Sequence, residues 1–184
     1  MAERQMQLRD LAGLTVMVVD DSAGMRQLLA SVLQSLGVGT VVVADGGPEA
    51  MALSKTHQID LYIVDWEMQP MDGLMLIREI RRVSNFASAL TPIVVLTAHS
   101  HPHVVRAALT NGANQFLTKP VVPQTLLNRM LWALNDRRPM VEQNGHFVHA
   151  AVRAASAPQP KSALSIPVAA AVSVPKPAEM WEVE

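Results

Sequence analysis

The sequence predicts an α/β protein built on an open, doubly wound sheet of five parallel strands with five flanking helices. Short runs of β-branched and aliphatic residues recur five times between Leu14 and Asn135. Longer segments of helical period separate them. None of the runs alternates with polar residues, as strands with one wet face do, so each is expected to be buried on both sides.

The runs are Leu14 to Val19, Thr40 to Val43, Ile59 to Val64, Pro92 to Leu96 and Asn114 to Leu117. After the first, Ser22 is positioned to cap a helix that reaches Leu36, with Met25, Leu28, Leu29, Val32, Leu33 and Leu36 on its buried side and Gly37 ending it. Helices are predicted over Gly47 to His57, Gly73 to Val83, Pro102 to Asn111 and Pro123 to Asn135, the last two opening on prolines suited to a first helical position. Right-handed crossovers then give the flavodoxin-like strand order 2-1-3-4-5.

Residues 1–13 read as an N-terminal segment and 14–135 as the folded domain. From 136 to 184 the composition turns to Pro, Ala, Ser and Val, with six of the twelve prolines from Pro139 onward and no amphipathic period. This stretch is expected to be a largely disordered tail, so a chain ending near Asn135 is expected to keep the fold. The charged fraction is 17%, below the roughly 25% of soluble domains, and 49% of residues are hydrophobic, which fits well-buried strands. Fifteen basic residues against sixteen acidic ones leave a net charge of -1 and no broad basic field for nucleic acid. The chain has no cysteine, which excludes disulfides and thiolate chemistry. Charges interrupt Met1 to Leu14, and Pro167 cuts the apolar segment Ile166 to Val174. Neither a secretory signal nor a membrane span is expected, and the location expected is the cytoplasm.

In an open α/β sheet, functional groups collect in loops at the carboxyl ends of the strands. Here these ends carry Asp20 and Asp21 after the first strand, Asp65 after the third, Thr97 after the fourth and Lys119 after the fifth. Three carboxylates brought together repel one another and call for a cation, and an all-oxygen donor set favours Mg2+ over zinc. The same metal would offset the charge of an incoming phosphoryl group, with Lys119 and Thr97 supplying further donors, which makes Asp65 a candidate nucleophile.

These residues stand in Val18-Val19-Asp20-Asp21-Ser22, Val64-Asp65-Trp66-Glu67-Met68, Asp72-Gly73, Leu96-Thr97-Ala98 and Thr118-Lys119-Pro120. Through them the sequence resembles the response regulator receiver domain (CheY-like) of two-component phosphorelay systems, over about Leu14 to Asn135. The resemblance implies that Asp65 accepts a phosphoryl group from a sensor histidine kinase or phosphotransfer protein. It implies that Asp21, Asp65 and the backbone carbonyl of Glu67 bind Mg2+ directly, and that Asp20 does so through water. It further implies that Lys119 pairs with the phosphate, that the bond from Lys119 to Pro120 is cis, and that Thr97 moves on activation while Phe116 changes rotamer. Signalling would then be phosphorylation-dependent binding of an unidentified downstream protein at the fourth and fifth predicted helices, where Arg106 and Asn114 are expected to be exposed. One departure is Met68-Gln69-Pro70, with the proline one place later than in the family. Glu67 and His99 occupy positions that tune phosphate lifetime in the family.

The residues also admit plainer roles. Asp20 and Asp21 can be a helix-capping pair, Phe116 core filling, and Trp132 packing. His99, His101 and His103 read as a surface loop rather than a metal site, because Pro102 interrupts them at a helix start. Trp181, in the acidic end Met180 to Glu184, is not explained by core packing. Two other functions compete. One is a receiver-shaped scaffold that is never phosphorylated. The other is a phosphatase of the haloacid dehalogenase type, which would want its nucleophile on the first strand rather than the third. Nothing after Asn135 resembles a DNA-reading helix.

Overall fold

Strands β1 (Thr15–Val19), β2 (Thr40–Ala44), β3 (Leu61–Asp65), β4 (Ile93–Thr97) and β5 (Gln115–Thr118) pair in parallel in the order β2-β1-β3-β4-β5, as the sequence predicts. The computed structural model describes residues 8–98 and 101–150. The crossovers carry α1 (Ala23–Ser35), α2 (Gly47–Leu53), α3 (Gly73–Ile80), a one-turn α4 (Phe86–Ala89), α5 (Pro102–Thr110) and α6 (Pro123–Leu134).

Successive strand residues point to opposite faces, and both faces are covered. Val16, Val18, Ile63, Val94 and Leu96 pack with Leu29 and Leu33 of α1 and with Leu126 and Met130 of α6. Met17, Val19, Tyr62, Val64 and Val95 pack on the other side with Ala50 of α2, Leu76, Ile77 and Ile80 of α3, and Ala108 of α5. β3 and β4 are therefore buried throughout, and β1 from Val16 onward. β2 and β5 depart from the expectation of two-sided burial: as the sheet's edges they are only partly covered, and Val43 is exposed. Leu28 lies on the outer side of α1, and Trp132 on α6 is exposed rather than packed.

The folded region extends past both expected boundaries. A 3-10 turn over Leu8–Gly13 inserts Leu11, fully buried, under the sheet, and its carbonyl accepts hydrogen bonds from the amides of Leu14 and Gly39. At the other end, β6 (Met140–Gln143) and β7 (His146–His149) form an antiparallel hairpin within the span expected to be disordered. Its turn is Asn144-Gly145, both at positive φ (53° and 79°), which suits the two-residue turns that match strand twist. The hairpin clusters with the sheet in one unit. It meets the end of α3 through an isolated bridge between Arg82 and His146 and a hydrogen bond from the Phe147 amide to the Arg81 carbonyl, and β7 packs on α5. Residues 151–184, including Trp181, lie outside the described residues.

Arg81, at the end of α3, is fully buried beside this hairpin. Each of its five N–H donors has an acceptor: Nε and Nη2 donate to the Gly112 carbonyl, Nη1 to the carbonyls of Ala89 and Thr91, and Nη2 also to Asn114 Oδ1. Burial still pulls its pKa down to about 10. Asn114, expected to be exposed, is buried because it links this guanidinium to Asp136, to which its Nδ2 donates at 2.9 Å.

Candidate functional site

Strand register brings the site together. Val19 lies opposite Val64, so Asp20 follows β1 beside Asp65 at the end of β3. Asp65 pairs with Leu96 and Thr97 with Thr118, which aligns Thr97 and Lys119 on the same rim. One carboxylate oxygen from each of Asp20, Asp21 and Asp65 lies within 4.8 Å of the others.

Each group is held by its local chain. Asp20 is fully buried; its Oδ1 accepts from the Ser22 amide at 2.9 Å, its Oδ2 from Lys119 Nζ at 3.0 Å, and its carbonyl from Arg26 Nη1 at 2.7 Å. Ser22 in turn caps α1 by accepting from the Met25 amide. Asp21 is exposed toward solvent. The loop after β3 closes on itself through the Gly73 amide, which donates to the Trp66 carbonyl, and Asp72 caps α3. Gly73 must be glycine here, because a Cβ would stand 2.5 Å from the Asp65 carbonyl oxygen. This loop holds a cis bond at Gln69-Pro70, where the sequence departs from the family, while Lys119-Pro120 is cis as the resemblance implies.

Lys119 Nζ pairs with the buried Asp65 Oδ1 at 3.0 Å, an ion pair whose angles fall outside ordinary hydrogen-bond geometry. Burial pushes the Asp65 carboxyl above the usual range; Lys119 and the Glu67 amide act against this, and Asp20 adds to it. Burial draws the Lys119 ammonium down, but Asp65 and Asp20 more than offset that and leave its pKa raised. A buried carboxylate oxygen that shares the Lys119 ammonium with Asp20, within reach of two more carboxylates, fits a hard divalent cation with oxygen ligands.

Thr97 is buried at the rim, its carbonyl accepting from the Lys119 amide at 2.8 Å. Glu67 is exposed. Phe116 is half-buried, with the Arg129 guanidinium 5.6 Å from its ring centroid. His101 and His103 stack at the start of α5, His99 is outside the described residues, and among the described residues the acidic trio is the one group suited to a metal. The residues that sequence reasoning missed are Arg26, which braces the Asp20 backbone, and Arg81, Asp136 and Arg138 at the far end of the sheet.

This sheet and acidic rim are those of a phosphoacceptor module, and comparison with known proteins places the chain accordingly. Residues 16–131 match the family model described as response regulator receiver domain. The chain belongs to that family. It is 34% identical over 116 residues to a chemotaxis protein CheY homolog of Campylobacter jejuni, covering 62% of this chain and 88% of the relative. It is also 34% identical to chemotaxis protein CheY1 of Helicobacter pylori, covering 62% of this chain and 92% of the relative. Among solved structures, chemotaxis protein CheY4 of Vibrio cholerae aligns with a TM-score of 0.61 at 32% identity, over 65% of this chain and 98% of that one. The aspartate cluster is typical of Mg-dependent phosphoaspartate chemistry in such receivers, which act as self-catalysing phosphoacceptors rather than turnover enzymes and interact with a histidine kinase or phosphotransfer partner. Asp65 stands on the third strand, where the dehalogenase-type reading has no place for its nucleophile. No helix among the described residues is long and apolar enough to cross a membrane.

Proposed function

We propose that Asp65 is the nucleophile that takes a phosphoryl group from a sensor histidine kinase or phosphotransfer protein, and that Mg2+ is held by Asp21, Asp65 and the Glu67 carbonyl, with Asp20 acting through water. The observation that carries this is the Asp65 Oδ1 oxygen, buried among carboxylates and sharing the Lys119 ammonium with Asp20. A lone pair of the Asp65 carboxylate attacks phosphorus, the bond from phosphorus to the donor's leaving atom breaks, and the electron pair leaves with the donor. The product is an acyl phosphate on Asp65. The metal, when bound, supplies compensating charge for the phosphoryl oxygens. Lys119, already drawn between Asp20 and Asp65, follows the negative charge onto the phosphate, and Thr97 donates its hydroxyl from the adjacent rim.

The signal then passes to an unidentified downstream protein at the face of α5, β5 and α6, where Phe116 is half-buried and Arg106 is exposed. The location proposed for this chain is the cytoplasm.

Acetyl phosphate tests the reading. With Mg2+ the wild-type protein is expected to gain one phosphoryl group by intact-mass spectrometry, and with a chelator none. Asp65→Asn is expected to abolish labelling and Asp21→Ala nearly so, whereas Lys119→Ala and Thr97→Ala still label but fail to transmit the change. Undiminished labelling of Asp65→Asn would overturn the assignment.

A further inference from the structure

The β6–β7 hairpin lies beyond the matched residues 16–131, at the amino ends of the strands, and its docking depends on a small seam. The Phe147 amide donates to the Arg81 carbonyl at 2.8 Å, the Val83 amide donates to the Gly145 carbonyl at 3.0 Å, and the Phe147 carbonyl sits over Gly112, where a Cβ would approach it to 2.9 Å. His149 ends β7, opposite Met140. Its side chain is only 7% exposed, and neither ring nitrogen has a partner at ordinary hydrogen-bond geometry, the Arg138 backbone being the acceptor beside the ring.

The groups around that ring leave little room for another positive charge. Asp136 Oδ2 is 3.8 Å from Nε2. Both Asp136 oxygens are already engaged, by Arg138 Nε and Nη2 and by Asn114 Nδ2. Arg138 and buried Arg81 are the nearby cations. The other elements bring no free carboxylate: α5 carries only His103 and Arg106, Glu79 of α3 pairs with Arg82, Arg78 bonds Asn111, and Glu142 of β6 is exposed opposite Phe147. On β7 itself, His146 Nδ1 meets the Asn144 carbonyl. A neutral imidazole is tolerated there as a flat, nearly apolar plate. A protonated one would add a second buried N–H donor and a third cation beside a carboxylate that is already shared, with only the Arg138 backbone as a further acceptor.

We propose that the hairpin is a proton-gated latch, docked on α3 and α5 while the His149 imidazole is neutral and released as that ring takes up a proton. Burial first, then the Arg138 and Arg81 charges, hold its pKa down to about 4, against the opposing pull of Asp136 and of the Arg138 backbone. The docked state thus excludes a proton that the released ring binds at about 6.5. Docking is at full strength above that value and weakens by up to about tenfold per pH unit as pH falls from it toward the docked-state value.

Amide exchange and ring titration in the full chain test this. Between pH 7.5 and 5, protection of the Phe147 and Val83 amides, corrected for intrinsic exchange, should fall about tenfold per unit below about pH 6.5. The Tyr62 amide, bonded to the Pro92 carbonyl in the central sheet, should not follow. The His149 ring should titrate at least one unit below a free histidine by NMR, and His149→Leu should make seam protection independent of pH. A wild-type ring that titrates near 6.5, or seam protection that is flat with pH, would overturn the latch. If His149→Leu fails to dock at all, those two wild-type measurements still decide.

Discussion

Asp65 holds its charge where the fold resists it. Burial raises its carboxyl pKa, so the metal-free folded chain binds a proton more readily than the unfolded chain does. A carboxyl with a raised folded pKa contributes stability below its unfolded value of about 4 and loses that contribution as pH rises through the folded value. At neutral pH the ionised group is therefore a cost. Asp65→Asn keeps the shape without the charge and is expected to raise the unfolding free energy at pH 7, as read by urea denaturation with a chelator, with a smaller gain at lower pH. Equal or lower stability of the variant at pH 7 would contradict this. Asp65 was legible in the sequence because its neighbours are strand residues and its partners end other strands. Arg81 was not, because Arg81-Arg82 at a helix end reads as a solvated basic turn, and only the structure shows the carbonyls of Ala89, Thr91 and Gly112 converging on it.

Elements followed the same division. The apolar runs that became β1, β3 and β4 were continuous because both faces are covered, and that is visible in the sequence. Which strands form the edges depends on topology, so the partial exposure of β2 and β5 could not be read from their equally apolar composition. The hairpin did carry a signal, Asn144-Gly145 between short apolar segments. Its strands are only four residues each and stand in a Pro- and Ala-rich span, so composition outweighed the turn. The expectation that a chain ending at Asn135 keeps the full fold now changes. Such a truncation removes Asp136 and Arg138, leaves the Nδ2 of buried Asn114 without its acceptor and uncovers the end of α3. Relative to a chain ending at Ala150, it is expected to lose about 1 to 3 kcal/mol in urea unfolding. Indistinguishable midpoints and slopes would mean the hairpin contributes nothing to the fold.

For the molecule as a whole, Mg2+ bound at the carboxylate cluster, as proposed, would tie stability to metal. A cation that binds the folded state and not the unfolded one stabilises it in proportion to the logarithm of its concentration over the dissociation constant, by about 2.7 kcal/mol at a hundredfold excess. Raising Mg2+ should therefore raise the thermal midpoint of the wild-type protein steadily. Asp21→Ala should flatten that response, and Ca2+-free calorimetry with Mg2+ titrated in is the direct measurement. A midpoint indifferent to Mg2+ would speak against the assigned donors.

The Ala150 amide donates to the Pro139 carbonyl, so the described chain ends beside the foot of the hairpin, at the amino ends of the strands. Asp65 is at the carboxyl ends, a strand length or roughly 15 Å away through the sheet. A dye or a surface tether attached at that exit would stand clear of a donor approaching the aspartates, which makes it a natural anchor for immobilising the protein with its reactive rim facing solution.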